Sequence, residues 1–143
     1  MPTIRKARER DLASIKPLLD AHRHELGFVI RPGLQKRIQA NEVLVACDED
    51  NVIGVMAYHH RRDEQTTLYH IVVALAWRQR GIGRRLIQTL KQEAQRLGKH
   101  HIQLKCPRDL PANDFYARLD FQLYEVQDGR KRALNVWRLG LVL

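Results

Sequence analysis

Cysteine is almost missing from this chain of 143 residues. Cys47 and Cys106 are the only two, 59 positions apart and in no CxxC pattern. That spacing provides no zinc-ligand set and no disulfide framework, so two reduced, unrelated thiols are expected. Aromatic residues make up only 6%, and no RRM-type stacking signature occurs, which argues against a reader of single-stranded RNA. Long apolar runs are absent: nothing approaches the roughly 18 residues that a membrane span needs. The opening "MPTIRKARERDL" has no apolar stretch of the secretory type, and a cytoplasmic protein is the expectation. Adjacent histidines occur at 59–60 and 100–101, but neighbours on a strand point to opposite faces and make poor joint ligands. No metal is expected.

Acid is scarce as well, with 16 Asp and Glu against 25 Lys and Arg and a net charge of +9. The excess is concentrated. Between Arg78 and Lys105 eight basic residues stand against Glu93 alone, so that stretch carries seven of the nine net charges. Such a strip attracts phosphates of any kind, nucleic acid included. The length, with 44% hydrophobic and 29% charged residues, is that of one ordinary globular domain. No repeat, low-complexity tract or linker interrupts it, and residues 1–143 are read as a single domain.

The hydrophobic pattern gives the order βααβββαβαββ. "TIRKA" (3–7) alternates as a strand. Asp11 is a candidate N-cap for an apolar pattern through Leu12, Ile15, Leu18, Leu19 and Leu26, with Pro17 implying a kink or a later start at Ser14. Residues 33–40 read as a second helix, then 42–50 and 51–61 as a hairpin and 66–75 as a third β-branched run. Ile82, Leu86, Leu90, Ala94 and Leu97 recur at helical spacing from Gly81 to Leu97, and Gly98 suits the position after the helix. A strand at 100–106, a short helix at 111–119 opened by Pro111, and closing strands at 121–126 and 133–143 complete the chain. A helix between strands 66–75 and 100–106 fits a right-handed crossover joining parallel neighbours.

"RQRGIGRRL" (78–86) sets two glycines among four arginines at a helix start. It is not a P-loop, since no Lys-Ser or Lys-Thr follows the second glycine. The dinucleotide fingerprint fails at Leu86, where its third glycine belongs. A simpler device remains. Bare glycine backbone lets N–H groups close on phosphate oxygens, and the unpaired first-turn amides and helix dipole favour an anion there.

The run "VVALAWRQRGIGRRLIQTL" (72–90) is similar to the acyl-CoA-binding signature of the GNAT family of N-acetyltransferases, (Q/R)xxGx(G/A). Arg78 stands at the Q/R, and Gly81 and Gly83 stand at the two small positions. Before the signature, Leu75 replaces the proline common in the family and Ala76 an acid, while Trp77 keeps the aromatic. A second block, "DFYARLDF" (114–121), resembles the family's FYxxxGF through Phe115, Tyr116 and Phe121, with Asp120 in place of the common glycine. The resemblance implies an α/β domain whose mixed, mostly antiparallel central sheet is flanked by helices. It also implies transfer of acetyl from acetyl-CoA to a primary amine by direct attack, the acceptor being a small molecule or a peptide.

The resemblance also distributes roles. The backbone of Ile71, Val72 and Val73 would hold the pantetheine arm where the strand splays from its neighbour. Arg78 opens the signature, and Gln79, Arg80, Gly81, Ile82, Gly83 and Arg84 would cradle the diphosphate. Tyr116 matches the family's general acid. A tyrosine of pKa near ~10 can protonate a leaving thiolate of pKa near ~8.5 as charge develops. The family's asparagine seven positions before that tyrosine is Asp109 here. Asn113, three before it, is carried as the donor contact, with Asp109 the other candidate and equally a helix N-cap. His70 and Glu64 are candidate bases that no motif fixes.

Duller readings stand beside these. The glycines could serve only a tight turn, Lys91 a solvated helix face, Tyr116 and His70 the interior, and Cys106 a strand end. Two rival functions use the same residues. One is a basic nucleic-acid or ribosome-associated module, and the other is a non-catalytic acyl-CoA sensor. Arg31, Lys36 and Arg37 hint against a strongly cationic acceptor. The oligomeric state is open, a homodimer being compatible.

Overall fold

A computed structural model describes residues 1–22 and 31–142, except for the side chains at 31 and 32. Leu26 of the first apolar pattern and the Arg31 side chain thus lie outside the described residues. The strands are β1 Thr3–Lys6, β2 Val43–Asp48, β3 Asn51–His60, β4 Gln65–Val73, β5 His101–Pro107, β6 Gln122–Asp128 and β7 Ala133–Gly140. The helices are α1 Leu12–Ala21, α2 Arg31–Gln39, α3 Ile82–Arg96 and α4 Ala112–Arg118. Short 3-10 turns cover Glu9–Asp11 and Leu75–Trp77.

The seven strands form one sheet in the order β1-β2-β3-β4-β5-β7-β6. The pairs β1–β2, β2–β3, β5–β7 and β6–β7 are antiparallel, whereas β4–β5 is parallel. The parallel pair is the one joined through α3, as a crossover requires. The sheet is therefore mixed and mostly antiparallel, as expected. No helix among the described residues is long and apolar enough to cross a membrane.

Two compact units share the chain: Met1–His59 with Tyr69–Leu90, and His60–Leu68 with Lys91–Leu143. In the first unit Leu12, Ile15 and Leu19 of α1 and Leu34 and Ile38 of α2 pack on Val43, Val45, Val55 and Ala57 of β2 and β3. Each such side chain contributes about 1.5–3 kcal/mol when fully buried. That burial explains why α1 begins at Leu12 rather than Ser14 and runs through Pro17. Ile15 is fully buried and Leu19 nearly so, and together they offset the roughly 3 kcal/mol of an interior proline. Asp11 does not cap α1 with its side chain. Its carboxylate accepts instead from the Arg8 amide at 2.7 Å and from the Arg5 guanidinium at 2.7 and 2.9 Å, a stronger charged pairing that holds its pKa below the usual carboxylate range.

In the second unit Ile102 and Leu104 of β5 are registered opposite Leu139 and Trp137 of β7 and share one buried sheet face, while Val136 is buried on the other. The end of α3 is closed by a Schellman arrangement. Gly98, at φ +74, donates to Gln95 O at 3.0 Å and Lys99 N–H to Ala94 O at 3.0 Å. That stop turns Leu97 outward: although it continues the apolar spacing of α3, it is 56% exposed. Asp120, where the similar family block has glycine, keeps the left-handed backbone at φ +69, a region aspartate tolerates better than most residues.

Candidate active site

The basic glycine turn closes the first unit's β4 and opens α3. Gln79 at φ +63 and Gly81 at φ +82 reverse the chain. A Cβ on Gly81 would meet nothing within 4 Å, so glycine is required there by conformation and not by space. The first amide of α3 to find a backbone acceptor is that of Arg85, 3.0 Å from Gly81 O. The Arg78–Gln79 turn is closed by the Arg80 amide, while the amides of Gln79 and of Gly81 to Arg84 have no backbone acceptor among the described residues. Those from Gly81 to Arg84 are the four unpaired donors that any helix start leaves, at the positive end of the α3 dipole.

The arginines of the turn divide their work. Arg78 is tied inward, donating from Nε to Val73 O at 3.0 Å and from its terminal nitrogen to His22 Nδ1 at 2.9 Å. Because a guanidinium only donates, His22 Nδ1 is the acceptor and carries no proton in this contact. Arg80 lies over the Trp77 ring, 4.9 Å from its centroid, and Arg85 donates to Pro2 O at 2.9 Å. Arg84 is exposed, with no ion pair among the described residues, and adds long-range positive potential to the turn.

The strand feeding this turn changes character midway. Its registered pairs with β5 run from Gln65↔His101 to Leu68↔Leu104 and stop, while Lys105, Cys106 and Pro107 are registered on β7. Tyr69 to Val73 thus continue beyond the parallel ladder. Val72 is buried in the first unit's core, with Ile71 and Val73 half-buried. Gly54 lies against this segment: a Cβ there would come 3.4 Å from Val72 O and 3.5 Å from Ile82 Cγ2.

In the second unit α4 carries Tyr116, whose ring is 8% exposed and meets Phe115 and Phe121 edge-on at centroid distances of 5.5 and 5.8 Å. Burial pushes its ionisation well above the ordinary tyrosine range, with the nearby Cys106 thiol adding to the effect. At neutral pH it is therefore a neutral hydroxyl, and a weaker acid than an exposed tyrosine. Asn113, one turn earlier, is fully engaged. Its Nδ2 donates to Leu110 O at 2.7 Å and Pro107 O at 2.9 Å, and its Oδ1 accepts from Trp137 Nε1 at 2.9 Å and Asn135 Nδ2 at 3.0 Å. Asp109 is exposed and pairs with Arg132 at 2.7 Å. It makes no cap for α4, whose N-cap is Pro111.

The two candidate bases differ. His70 on β4 has a buried Nε2 with no hydrogen-bond partner among the described residues, and burial lowers its pKa to about 4. Glu64 is exposed, and its carbonyl accepts from the His100 amide at 2.8 Å. Cys106 is buried and burial raises its thiol to about 11, the chemistry of a structural cysteine. The histidine pair 59–60 splits as expected, His59 to Glu42 at 2.9 Å and His60 to Thr66 and Glu93 at 2.7 Å each. Sequence reasoning missed His22, Asn135 and Trp137. Their partners lie 56, 22 and 24 positions away, and no local pattern marks such pairings.

Comparisons with known proteins agree with this geometry. The sequence profile described as "Acetyltransferase (GNAT) family" matches residues 10–121, a span that enters both units. No curated protein matches the chain. Among solved structures, Ard1 of Thermoplasma volcanium superposes with a TM-score of 0.88 at 14% identity, covering 99% of each chain. The ribosomal-protein-S18-alanine N-acetyltransferase of Escherichia coli gives 0.82 at 16%, covering 100% of this chain and 96% of that one. The yncA structure of Salmonella typhimurium, solved with its cofactor acetyl-CoA, gives 0.81 at 22%, covering 100% and 95%. At such identities these likenesses establish the fold, while the profile covers most of the chain and carries the family. With a free-amide turn at the start of α3 and the profile running through it, the chain belongs to the GNAT family of acetyltransferases, acyltransferases that draw their acyl group from acetyl-CoA.

Proposed function

We propose that this protein is a single-domain N-acetyltransferase, spanning residues 1–143, that moves acetyl from acetyl-CoA to a primary amine by direct attack, without a covalent enzyme intermediate. The observation that carries the reading is the run of four amides at the start of α3, Gly81 to Arg84, with no backbone acceptor among the described residues. A diphosphate supplies oxygens for such donors, and the α3 dipole and the Arg80 and Arg84 charges favour it. The main chain of Ile71, Val72 and Val73 receives the pantetheine arm in this reading. Support comes from the early end of the β4–β5 ladder, which leaves the edge of those residues that faces β5 outside its registered pairs.

Tyr116 acts as the general acid that protonates the departing thiolate. Its hydroxyl is protonated at neutral pH and has a proton to give, but burial weakens it as an acid, so transfer must wait until charge has developed on the sulfur. The acceptor's ammonium loses its proton to water or to a side chain. At a pKa of about 4, His70 is a weak base for that step, so the reading assigns it no catalytic role. The protein is taken to be cytoplasmic and to need no metal, and its acceptor is a small-molecule or peptide amine.

Calorimetric titration with acetyl-CoA, followed by CoA-thiol release across a panel of small amines and free peptide N-termini, tests the proposal. Micromolar-range binding and amine-dependent thiol release are expected. Indifference to acetyl-CoA together with tight, steeply salt-dependent RNA binding would replace it with the nucleic-acid reading. Binding without release on any amine favours a sensor.

A further inference from the structure

The polar network around Asn113 can be followed atom by atom. Trp137 Nε1–H is a donor only, so the Asn113 atom 2.9 Å from it is the carbonyl oxygen. The other amide atom faces three backbone carbonyls, Pro107 O, Arg108 O and Leu110 O, which only accept, so it is the nitrogen. The Asn113 carboxamide therefore has one orientation. Asn135 in turn must present its nitrogen to Asn113 Oδ1, as it does at 3.0 Å, which leaves Asn135 Oδ1 buried and without a partner among the described residues.

We propose that Asn113 is a positioning residue for Tyr116: its carboxamide locks the Pro107–Pro111 loop and the first turn of α4 onto β7 and thereby fixes where the Tyr116 hydroxyl stands. The geometry of the lock supports this. Asn113 gathers carbonyls from both ends of the loop while the indole and Asn135 hold it from β7. Tyr116 follows three residues later, on the same side of a helix of seven residues. Asn135 and Cys106 are registered opposite each other on β7 and β5 and so share a sheet face. Cys106 is close enough to Tyr116 to affect its ionisation, so the ring and its lock lie over one surface. A network that leaves one buried acceptor unmet is a poor choice for stability alone. The side chain carried as a donor contact is thereby assigned to the loop.

This inference rests on the reading of Tyr116 as the acid, and the test separates the two. Tyrosinate absorbance is followed against pH in wild type, Tyr116→Phe and Asn113→Ala, without any acceptor. In wild type the Tyr116 ionisation is expected to lie above the titration of the exposed tyrosines. In Asn113→Ala it is expected to move down toward the ordinary range near ~10 as water reaches the ring. An unmoved titration in a folded Asn113→Ala protein would overturn the inference whatever the enzyme does. The second readout is CoA-thiol release with n-butylamine in excess. Asn113→Ala should lower kcat by roughly ten- to a hundredfold with KM for acetyl-CoA changed by less than about threefold. In a Tyr116→Phe background the same substitution should have almost no further effect on kcat. Independent, multiplying losses would make Asn113 a structural residue only. If Tyr116→Phe alone releases thiol at the wild-type rate, the acid assignment fails instead. Should Asn113→Ala not fold, Trp137→Phe, which removes one donor and keeps the ring, carries both measurements with smaller shifts in the same directions.

Discussion

Between Gln79 and Arg84 the first unit leaves main-chain donors open, and the side chains around them are engaged sideways, on Trp77, or stand in solvent. Around Asn113 the second unit does the reverse: side chains consume one another's donors and acceptors, and the loop backbone is held by a side-chain amide. The first region recognises through geometry that any residue with a permissive backbone provides. The second depends on residue identity at each position. Substitutions should therefore act differently in the two places: the turn should answer to backbone and charge changes, and the α4 region to the loss of single polar atoms.

Gly83→Glu should have the largest effect, placing a buried carboxylate in the first turn of α3 where an anion is expected. Acetyl-CoA affinity measured by calorimetry is expected to fall at least about 100-fold. Retained affinity would mean that the open amides are not the recognition element. Tyr116→Phe comes next, with kcat lowered by roughly 100-fold and acetyl-CoA affinity nearly constant, since general acid catalysis contributes about that much. Arg78→Gln tests whether the turn depends on any side chain. Loss of the bonds to Val73 O and His22 should weaken acetyl-CoA binding by about tenfold.

A stability measurement sharpens the same contrast away from the ligand. His70 titrates at about 4 when folded and near ~6.5 when unfolded. The unfolded chain therefore takes up a proton first as the pH falls, and stability present above about pH 6.5 is lost progressively down to about pH 4, by up to about 3 kcal/mol. His70→Leu should flatten that part of the profile of Tm against pH; an unchanged slope would show that His70 does not titrate as its burial implies. Arg84→Gln should give the smallest effect, about a two- to threefold loss of acetyl-CoA affinity at low ionic strength that vanishes in about 0.5 M salt.

Much of the fold was legible because periodicity and punctuation agree. The β-branched runs, the four-and-three spacing of Ile82, Leu86 and Leu90, and the glycine at 98 all report local conformation, and each element appears within a few residues of its expected place. The departures share a pattern: a charged partner or a buried face outcompeted a local rule. Asp11 was taken by Arg5, Asp109 by Arg132, and Pro17 was absorbed because the α1 face is buried. For the site, the glycine turn was readable because its chemistry lies in consecutive residues. The lock around Asn113 was not, since Trp137 and Asn135 reach it from a strand more than 20 positions away.

The outermost strand carries a last consequence. β6 ends the sheet order, and all but one of its residues are exposed, Leu123, Tyr124 and Val126 among them. A rim this apolar invites fibril growth by edge-to-edge stacking of copies. The register slips between Leu123 and Glu125, leaving Tyr124 out of step with β7 under the Arg138 guanidinium, 3.7 Å from its ring centroid, with Glu125 and Asp128 charged along the same strand. A bent, acidic rim is a poor template for a second chain. Deleting Tyr124 would remove the register slip and neutralising Glu125 would remove a charge, and both changes make the edge a better template for a second chain.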